Sequence, residues 1–172
     1  DAFQKRFSAI QALGVPPDPR MEERQNASSL LGRALAGQAP AILLIDAHNV
    51  LFGLPVRYMP ARGTSLTDAE KRQRLVDDIV RIAAPSPTLR AWIVFDGHTR
   101  SDTQAAPNVR VTYSGGEGEH RADNVILDNI RFFTTTSPEL PVILVSNDND
   151  LCTAARRLGA RDIAVLDLGA FL

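Results

Sequence analysis

The stretch AILLIDAHNV, residues 41–50, decides the fold of this chain. Its first five residues form an unbroken apolar run, which is typical of a strand buried on both faces of a parallel sheet. The run ends on Asp46. Two later stretches have the same form: AWIVFDGH carries an apolar run to Asp96, and PVILVSNDND carries another to Asp148 and Asp150. Three buried parallel strands are therefore predicted, each followed closely by carboxylates.

Outside these runs, the sequence alternates helical and strand-like patterns. Thr67 and Glu70 have the spacing of a capping box, which predicts a helix start, and Gly159 is a typical helix stop. Strands are predicted over 42–45, 91–95, 109–113, 142–145 and 163–166, helices over 67–84, 122–133 and 149–158, and a Gly- and Pro-rich loop over 52–66. The alternation predicts a three-layer α/β/α sandwich with a central, mostly parallel sheet of about five strands.

The first 40 residues have a different pattern and predict a partly helical N-terminal arm, followed by the α/β domain over 41–172. Leu30, Leu31 and Leu35 form a short amphipathic stripe, which is expected to dock on the body of the protein or on a partner. The chain begins without methionine and stops on two apolar residues, so we expect it to be a piece of a longer protein.

Composition narrows the class of protein. With 172 residues, 44% of them hydrophobic and 23% charged, the chain is typical of one soluble globular domain. A net charge of −1 provides no overall basic field for nucleic acid. Cys152 is the only cysteine, which excludes a disulfide framework and a thiolate zinc site and predicts a reducing, cytoplasmic location. No membrane-spanning stretch or signal peptide is recognisable.

Carboxylates at the ends of buried parallel strands should meet at one edge of the sheet. Asp46, Asp96 and Asp148 are the candidates, although any one of them could simply be a turn or cap residue. Asp123 is a fourth candidate because it shares a helical stripe with apolar residues that must face the sheet; its alternative role is a helix N-cap. Asp150 is predicted to be a second ligand or an orienting group.

A divalent cation is the expected partner of such a group. Two carboxylates about 5 Å apart repel each other by roughly 3 kcal/mol at an effective dielectric of 20, and four repel far more. Oxygen donors favour Mg²⁺ or Mn²⁺ over zinc. The amide of Asn49 could orient a water or a phosphate, or make only a local turn bond. Secondary candidates, each as readily explained by solvation or capping, are His48, His98 and His120 as substrate contacts and Glu117 and Glu119 as a closing loop.

At this point the chain resembles a known family. LIDAHNV at 44–50 resembles the opening hydrophobic-Asp-Gly-x-Asn motif of NYN domains, within the PIN-like nuclease superfamily, with Ala47 and His48 in place of the usual Gly and Tyr. Further motifs resemble those of its YacP-like branch: VFDG at 94–97, YS at 113–114 with ADNVI at 122–126, and SNDND at 146–150, the last being closer to the general NYN form.

The resemblance covers about residues 41–172 and implies a PIN-like fold with a metal-dependent ribonuclease activity. It implies acidic site residues at Asp46, Asp96, Asp123 and Asp148, and a site asparagine at Asn49. RNA, expected to be single-stranded, is the implied partner, and a ribonucleoprotein such as the ribosome is the candidate that would present it. The candidate RNA contacts, with a solvated surface role as the alternative, are Arg57, Arg100 and Arg121.

Other classes fit less well. A phosphohydrolase of the haloacid dehalogenase type requires a second Asp at the position of His48, and a Toprim-like nuclease requires a Glu where Asp46 stands. A dinucleotide-binding domain would need a Gly-rich turn after the first strand, and none follows Ile45. The alternative from another class is a catalytically silent RNA- or protein-binding module with the same fold.

Overall fold

The computed structural model describes residues 2, 4, 5, 18–59, 66–118 and 120–172. Over these residues the chain forms seven helices and six strands, in the order α1 (Pro19–Leu35), β1 (Ala41–Asp46), α2 (Ala47–Gly53), α3 (Pro55–Tyr58), α4 (Asp68–Ala83), β2 (Leu89–Phe95), β3 (Ser101–Ala106), β4 (Val109–Tyr113), α5 (Arg121–Thr136), β5 (Val142–Val145), α6 (Asn149–Arg157), β6 (Arg161–Ile163) and α7 (Val165–Gly169). None of the helices described is long and apolar enough to cross a membrane.

The sheet has the strand order β3-β4-β2-β1-β5-β6. Every neighbouring pair is parallel except β3 and β4, which are antiparallel. β1 lies in the centre, with Ile45 opposite Ile93 of β2 on one side and opposite Val145 of β5 on the other. This register places the ends of β1, β2 and β5 side by side, as the three apolar runs predicted.

Helices cover both faces of the sheet, which confirms the three-layer α/β/α architecture. All six residues of β1 are buried, and alternate residues face opposite layers. Leu43 and Ile45 belong to the core shared with α1, α2 and α4. Ile42 and Leu44 belong to the second core, shared with α5 and α6. An apolar run without alternation was therefore the correct signal for the central strand.

Two sequence predictions at the sheet edges were wrong. β3 was not predicted, because its sequence SDTQAA is polar and mostly exposed on an antiparallel edge. The last strand was predicted over 163–166, but β6 ends at Ile163 and α7 follows at once. Val165 and Leu168, three residues apart, are both buried, and the Asp167 carboxylate accepts a hydrogen bond from the Ala164 N–H at 3.1 Å. Helical spacing and this cap explain the helix.

The predicted loop over 52–66 was also partly wrong. α2 runs to Gly53 and α3 spans Pro55–Tyr58, while residues 60–65 lie outside the described part of the chain. The capping box that starts α4 is confirmed. The Thr67 hydroxyl accepts from the Glu70 N–H at 3.2 Å, and the Glu70 carboxylate accepts from the Thr67 N–H at 3.4 Å. Helix α4 is therefore held at its N-terminus by local chemistry that the sequence contains.

Helix α1, in the N-terminal arm, packs on the body of the protein beside β6 and β1. Asp18 caps it by accepting from the Arg20 N–H at 3.0 Å, and Pro19 occupies its first turn. Leu30 and Leu31 are buried in the core shared with β1, and Leu35 is half-buried against it. The stripe thus covers the sheet of its own chain, while the domain boundary at residue 40 stays a prediction.

Candidate active site

Three carboxylates stand at the carboxyl-terminal edge of the central strands. Asp46 is the last residue of β1, Asp96 follows β2 directly, and Asp148 comes three residues after β5. Because β1 pairs with both β2 and β5 in parallel, these strand ends are neighbours. The fold therefore brings together on one edge the residues that the sequence predicted to meet there.

Asp46 is buried, with 4% of its surface exposed. Its Oδ2 accepts hydrogen bonds from the Asn49 amide and from the Ser146 hydroxyl, both at 2.8 Å. The Asn49 Oδ1 in turn accepts from the backbone N–H of Asn147 at 3.2 Å. These bonds fix the Asp46 carboxylate and tie the end of β1 to the end of β5.

Ser146 was missed as a site residue by the sequence analysis. Its buried hydroxyl donates to Asp46 and accepts from the Asp148 N–H at 3.0 Å, so it connects two of the acidic residues. The available signal was a small polar residue directly after the apolar run VILV, which forms a fully buried strand. A buried hydroxyl requires partners, and here both partners belong to the site.

Asp148 caps helix α6. Its Oδ1 accepts from the N–H groups of Asp150 and Leu151 at 3.0 and 3.1 Å. The side chain is half-buried. Both bonds use Oδ1, so the Oδ2 atom remains for another partner. Asp150 is exposed in the first turn of the same helix. Asp148 therefore caps α6 while it lies at the same edge of the sheet as Asp46, and Asp150 is exposed at the rim.

Asp96 and Asp123 are joined through the start of helix α5. The Asp96 Oδ1 accepts from the Ala122 N–H at 3.0 Å, which holds the N-terminus of α5 over the end of β2. Asp123 lies in the first turn of α5, and its Oδ2 is 3.1 Å from the His120 Nδ1. The N-cap position belongs to His120, with a φ of 62°. Asp123 is therefore not the helix cap, which was its alternative role.

The four carboxylates influence each other electrostatically. Burial raises the pKa of Asp46 to about 6, the bond from Ser146 opposes this, and the charges of Asp123, Asp148 and Asp96 raise it further. Burial also raises the pKa of Asp123, with the His120 bond opposing and the charges of Asp148 and Asp96 adding. Asp46, Asp96, Asp123 and Asp148 are together called the acidic edge below. When ionised, their negative charges repel one another.

The acidic edge is not a closed metal shell. Among the described residues, no three His, Cys, Asp or Glu groups are arranged so that they could all hold one ion. Each of Asp46, Asp96 and Asp148 has one oxygen held by protein donors. What the edge provides is a set of oriented, mutually repelling oxygen donors.

The sequence of residues 43–170 matches the family described as YacP-like NYN domain. The chain belongs to this family. The match covers most of the chain and leaves helix α1 outside, and it confirms the family that the four motifs predicted. Membership in the YacP-like NYN family relates this chain, and with it the acidic edge, to PIN-like RNA nucleases.

The YacP-like fold is also found by comparison with solved structures. A mutant form of Rae1 (YacP) from Bacillus subtilis has a crystal structure that superposes with a TM-score of 0.55 at 20% identity. The superposition covers 76% of this chain and 73% of that one. At this identity, the likeness shows a shared fold and nothing more. No curated protein matches the sequence.

The arginines predicted to contact RNA are held mainly by protein groups. Arg57 donates to both carboxylate oxygens of Asp78 at 2.6 and 2.7 Å. Arg121 donates to the carbonyls of Gly97 and Gly116 and so joins the two loops beside Asp96. Arg100 is more than half exposed and only 3.5 Å from Asp102. Of the three, Arg100 has the most exposed side chain. The guanidinium groups of Arg57 and Arg121 are already bound by protein acceptors.

The remaining candidates lie around the acidic edge. His48 packs edge-on against Phe95, with ring centroids 5.9 Å apart, and no described residue bonds its buried Nε2. His98 is exposed, and its carbonyl accepts from the Gly116 N–H at 3.2 Å. Glu117 is exposed, and Glu119 lies outside the described residues. Among the described residues of this group, the bond to the four carboxylates is that of His120 to Asp123.

The raised pKa of Asp46 predicts a pH-dependent stability. A carboxyl whose pKa is 3.8 unfolded and about 6 folded stabilises the protein fully below pH 3.8, and this contribution is lost as pH rises through 6. In EDTA, Asp46→Asn is therefore expected to be more stable than the wild-type chain at pH 7.5, by up to about 3 kcal/mol. The advantage should vanish near pH 4. Urea unfolding across this range measures it, and a pH-independent difference would contradict the assignment.

Proposed function

We propose that this chain is a metal-dependent ribonuclease that hydrolyses RNA phosphodiester bonds at the acidic edge. The observation that supports this most directly is the burial of Asp46 among three other carboxylates that raise its pKa. Ordinary turn or cap residues gain nothing from such an arrangement, because the repulsion destabilises the fold. A site that needs concentrated negative charge does gain from it.

The donor set fits a hard divalent cation such as Mg²⁺ or Mn²⁺. The donors are carboxylate oxygens, and the lack of a closed protein shell suits an ion that keeps several of its own waters. Asp46 and Asp148 would hold the ion, with Asp96, Asp123 and Asp150 binding directly or through water. When bound, such an ion makes water a better nucleophile and neutralises charge on the phosphate.

The protein's own groups have separable roles in this proposal. Asn49 and Ser146 hold the Asp46 carboxylate in one orientation, so that it need not reorganise during the reaction. Asp123 is half-buried, has a raised pKa and stands at the start of α5 over the strand ends. These properties suit a group that accepts a proton from the attacking water.

The substrate in this proposal is single-stranded RNA in the cytoplasm, with a ribonucleoprotein such as the ribosome presenting it. Family membership supports RNA as the substrate. The buried free thiol of Cys152 suits a reducing compartment.

A second candidate function is a catalytically silent RNA- or protein-binding module. The observation in its favour is that no three potential ligands in the described part of the chain are arranged to hold one ion. A silent module predicts that divalent cations neither bind nor alter the protein. The nuclease predicts that Mg²⁺ or Mn²⁺ raises the melting temperature, because the ion relieves the repulsion at the acidic edge.

Cleavage of labelled single-stranded RNA and DNA with Mn²⁺, Mg²⁺ or EDTA tests the proposal. RNA cutting is expected with a divalent cation and should stop in EDTA. A rise in melting temperature without cutting would indicate a metal site that requires a different substrate or a partner. Neither binding nor cutting would contradict the nuclease and favour the silent module.

A further inference from the structure

A cavity of about 500 Å³ lies at the end of the sheet opposite the acidic edge. It is lined by the first residues of β1 and β2, by the turn between β3 and β4, and by the last turns of α5. Arg90, in this lining, is six residues before Asp96 along β2, which corresponds to about 20 Å. The cavity is therefore separate from the acidic edge, although β2 and α5 connect the two.

Aromatic rings and arginines form much of the cavity wall. The Arg110 guanidinium lies over the ring of Trp92 at 4.6 Å from its centroid, and these two residues are direct partners on β4 and β2. The rings of Phe133 and Trp92 are in edge contact at 6.1 Å, and Phe132 next to them is 60% exposed. A large aromatic ring exposed beside a stacked Trp–Arg pair is a surface on which a nucleobase can stack.

Two side-chain amides in the same wall have buried polar atoms without a hydrogen-bond partner among the described residues: the Asn129 Nδ2 and the Asn108 Oδ1. The Asn108 orientation is fixed, because its Nδ2 donates to the carbonyls of Ala83, Ser86 and Leu89 at 2.8, 3.1 and 2.9 Å. Both unpaired atoms are themselves buried. The Asn108 amide is fixed by its three bonds, so of the two only Asn129, whose side chain makes no hydrogen bond with a described residue, is free to turn toward a ligand. The edge of a nucleobase carries acceptors for such an amide donor.

The charge of this surface favours an anionic ligand. Arg90 is exposed and makes no ion pair with any described residue, and Arg110 is about half exposed. Within the described part of the chain, Arg110 forms an ion pair with one carboxylate, that of Asp102 at 3.7 Å, and Asp102 also pairs with Arg100. Two cations beside rings suit the phosphates and bases of single-stranded RNA better than an apolar protein surface.

We propose that this cavity, called the distal cavity, binds a nucleotide of single-stranded RNA about 20 Å from the acidic edge. Phe132 stacks on the base, Asn129 bonds its edge, and Arg90 and Arg110 contact phosphates. The proposal takes RNA as the substrate from the proposed function. It adds a site that anchors the RNA on the protein while the acidic edge repels unneutralised phosphate.

RNA binding measured in EDTA tests this without any dependence on cleavage. Fluorescence anisotropy of a labelled single-stranded RNA is recorded against salt for the wild type, Phe132→Ala and the double variant R90A/R110A. Loss of one stacked base is expected to weaken binding about five-fold or more. Loss of two phosphate contacts should lower the slope of log affinity against log salt by about 1.4.

Two controls match these changes. Leu166→Ala removes an exposed apolar side chain from α7, and R161A removes a charge from β6 at the other side of the sheet. Neither should change RNA affinity by more than about two-fold. Equal losses in the controls, unchanged binding in the distal-cavity variants, or a wild type that binds no RNA would overturn the proposal. The first two results would not contradict the proposed nuclease activity, because that activity is tested separately by metal-dependent cutting.

Discussion

Asp46→Asn is expected to reduce RNA cleavage by about a thousand-fold or more while the chain remains folded. The substitution keeps the size of the side chain, and an amide oxygen can still accept from Asn49 and Ser146. It removes the charge that a cation would require at the centre of the acidic edge. Asp148→Asn is expected to abolish cleavage as well, and because Asn is also a good helix cap, α6 should be retained.

The control for these variants is Asp128→Asn. Asp128 lies on α5, the same helix as Asp123, but is exposed and pairs only with Arg131 among the described residues. Its loss should leave cleavage within about two-fold of wild type. Rates are compared under the Mn²⁺ or Mg²⁺ conditions that support cutting, and circular dichroism checks the fold. Unchanged cleavage in both Asp46→Asn and Asp148→Asn would refute the assignment of the site.

Asp78→Ala is expected to reduce the free energy of unfolding by about 2–4 kcal/mol. Asp78 is buried on α4, accepts both Arg57 hydrogen bonds and also accepts from the hydroxyl of the fully buried Tyr58 at 2.8 Å. Burial opposes ionisation, but these bonds keep the pKa of Asp78 below its ordinary value. Without the carboxylate, a buried hydroxyl and a half-buried guanidinium lose their acceptor.

The neighbouring residue provides a matched control for this change. Asp77→Ala removes the same group from the same helix, but Asp77 is exposed and accepts only from Gln73 among the described residues. It should cost less than about 0.5 kcal/mol. Urea unfolding at pH 7 compares the two. Because the pKa of Asp78 is lowered, its contribution should shrink as pH falls below about 4. Equal effects of both substitutions would show that the Arg57–Tyr58–Asp78 cluster does not stabilise the fold.

The elements that sequence analysis predicted well are those whose signal is local. The central strands were visible because strands covered on both faces are apolar throughout, and β1, β4 and β5 were placed to within one residue. The start of α4 was visible because its cap involves residues three apart. The parallel register of these strands then placed Asp46, Asp96 and Asp148 at one edge.

Other features depend on contacts between distant parts of the chain. β3 exists because it pairs with β4, and its own residues have no strand-like pattern. The role of Ser146 depends on Asp46, a hundred positions away. The Arg57 guanidinium pairs with Asp78, which lies on another helix, while its contact with RNA stays a prediction. In each case, the deciding partner is far along the chain.

By itself, the sequence determined the family, the buried parallel strands and the identity of the acidic residues that follow them. It could do so because burial and capping leave periodic or short-range patterns. Only the tertiary structure decided which side chains orient Asp46, which cations are already paired, and that rings, arginines and two amides meet at the opposite end of the sheet. Those features arise from hydrogen bonds and packing between separate elements, whose geometry is fixed only when the sheet and its helices assemble.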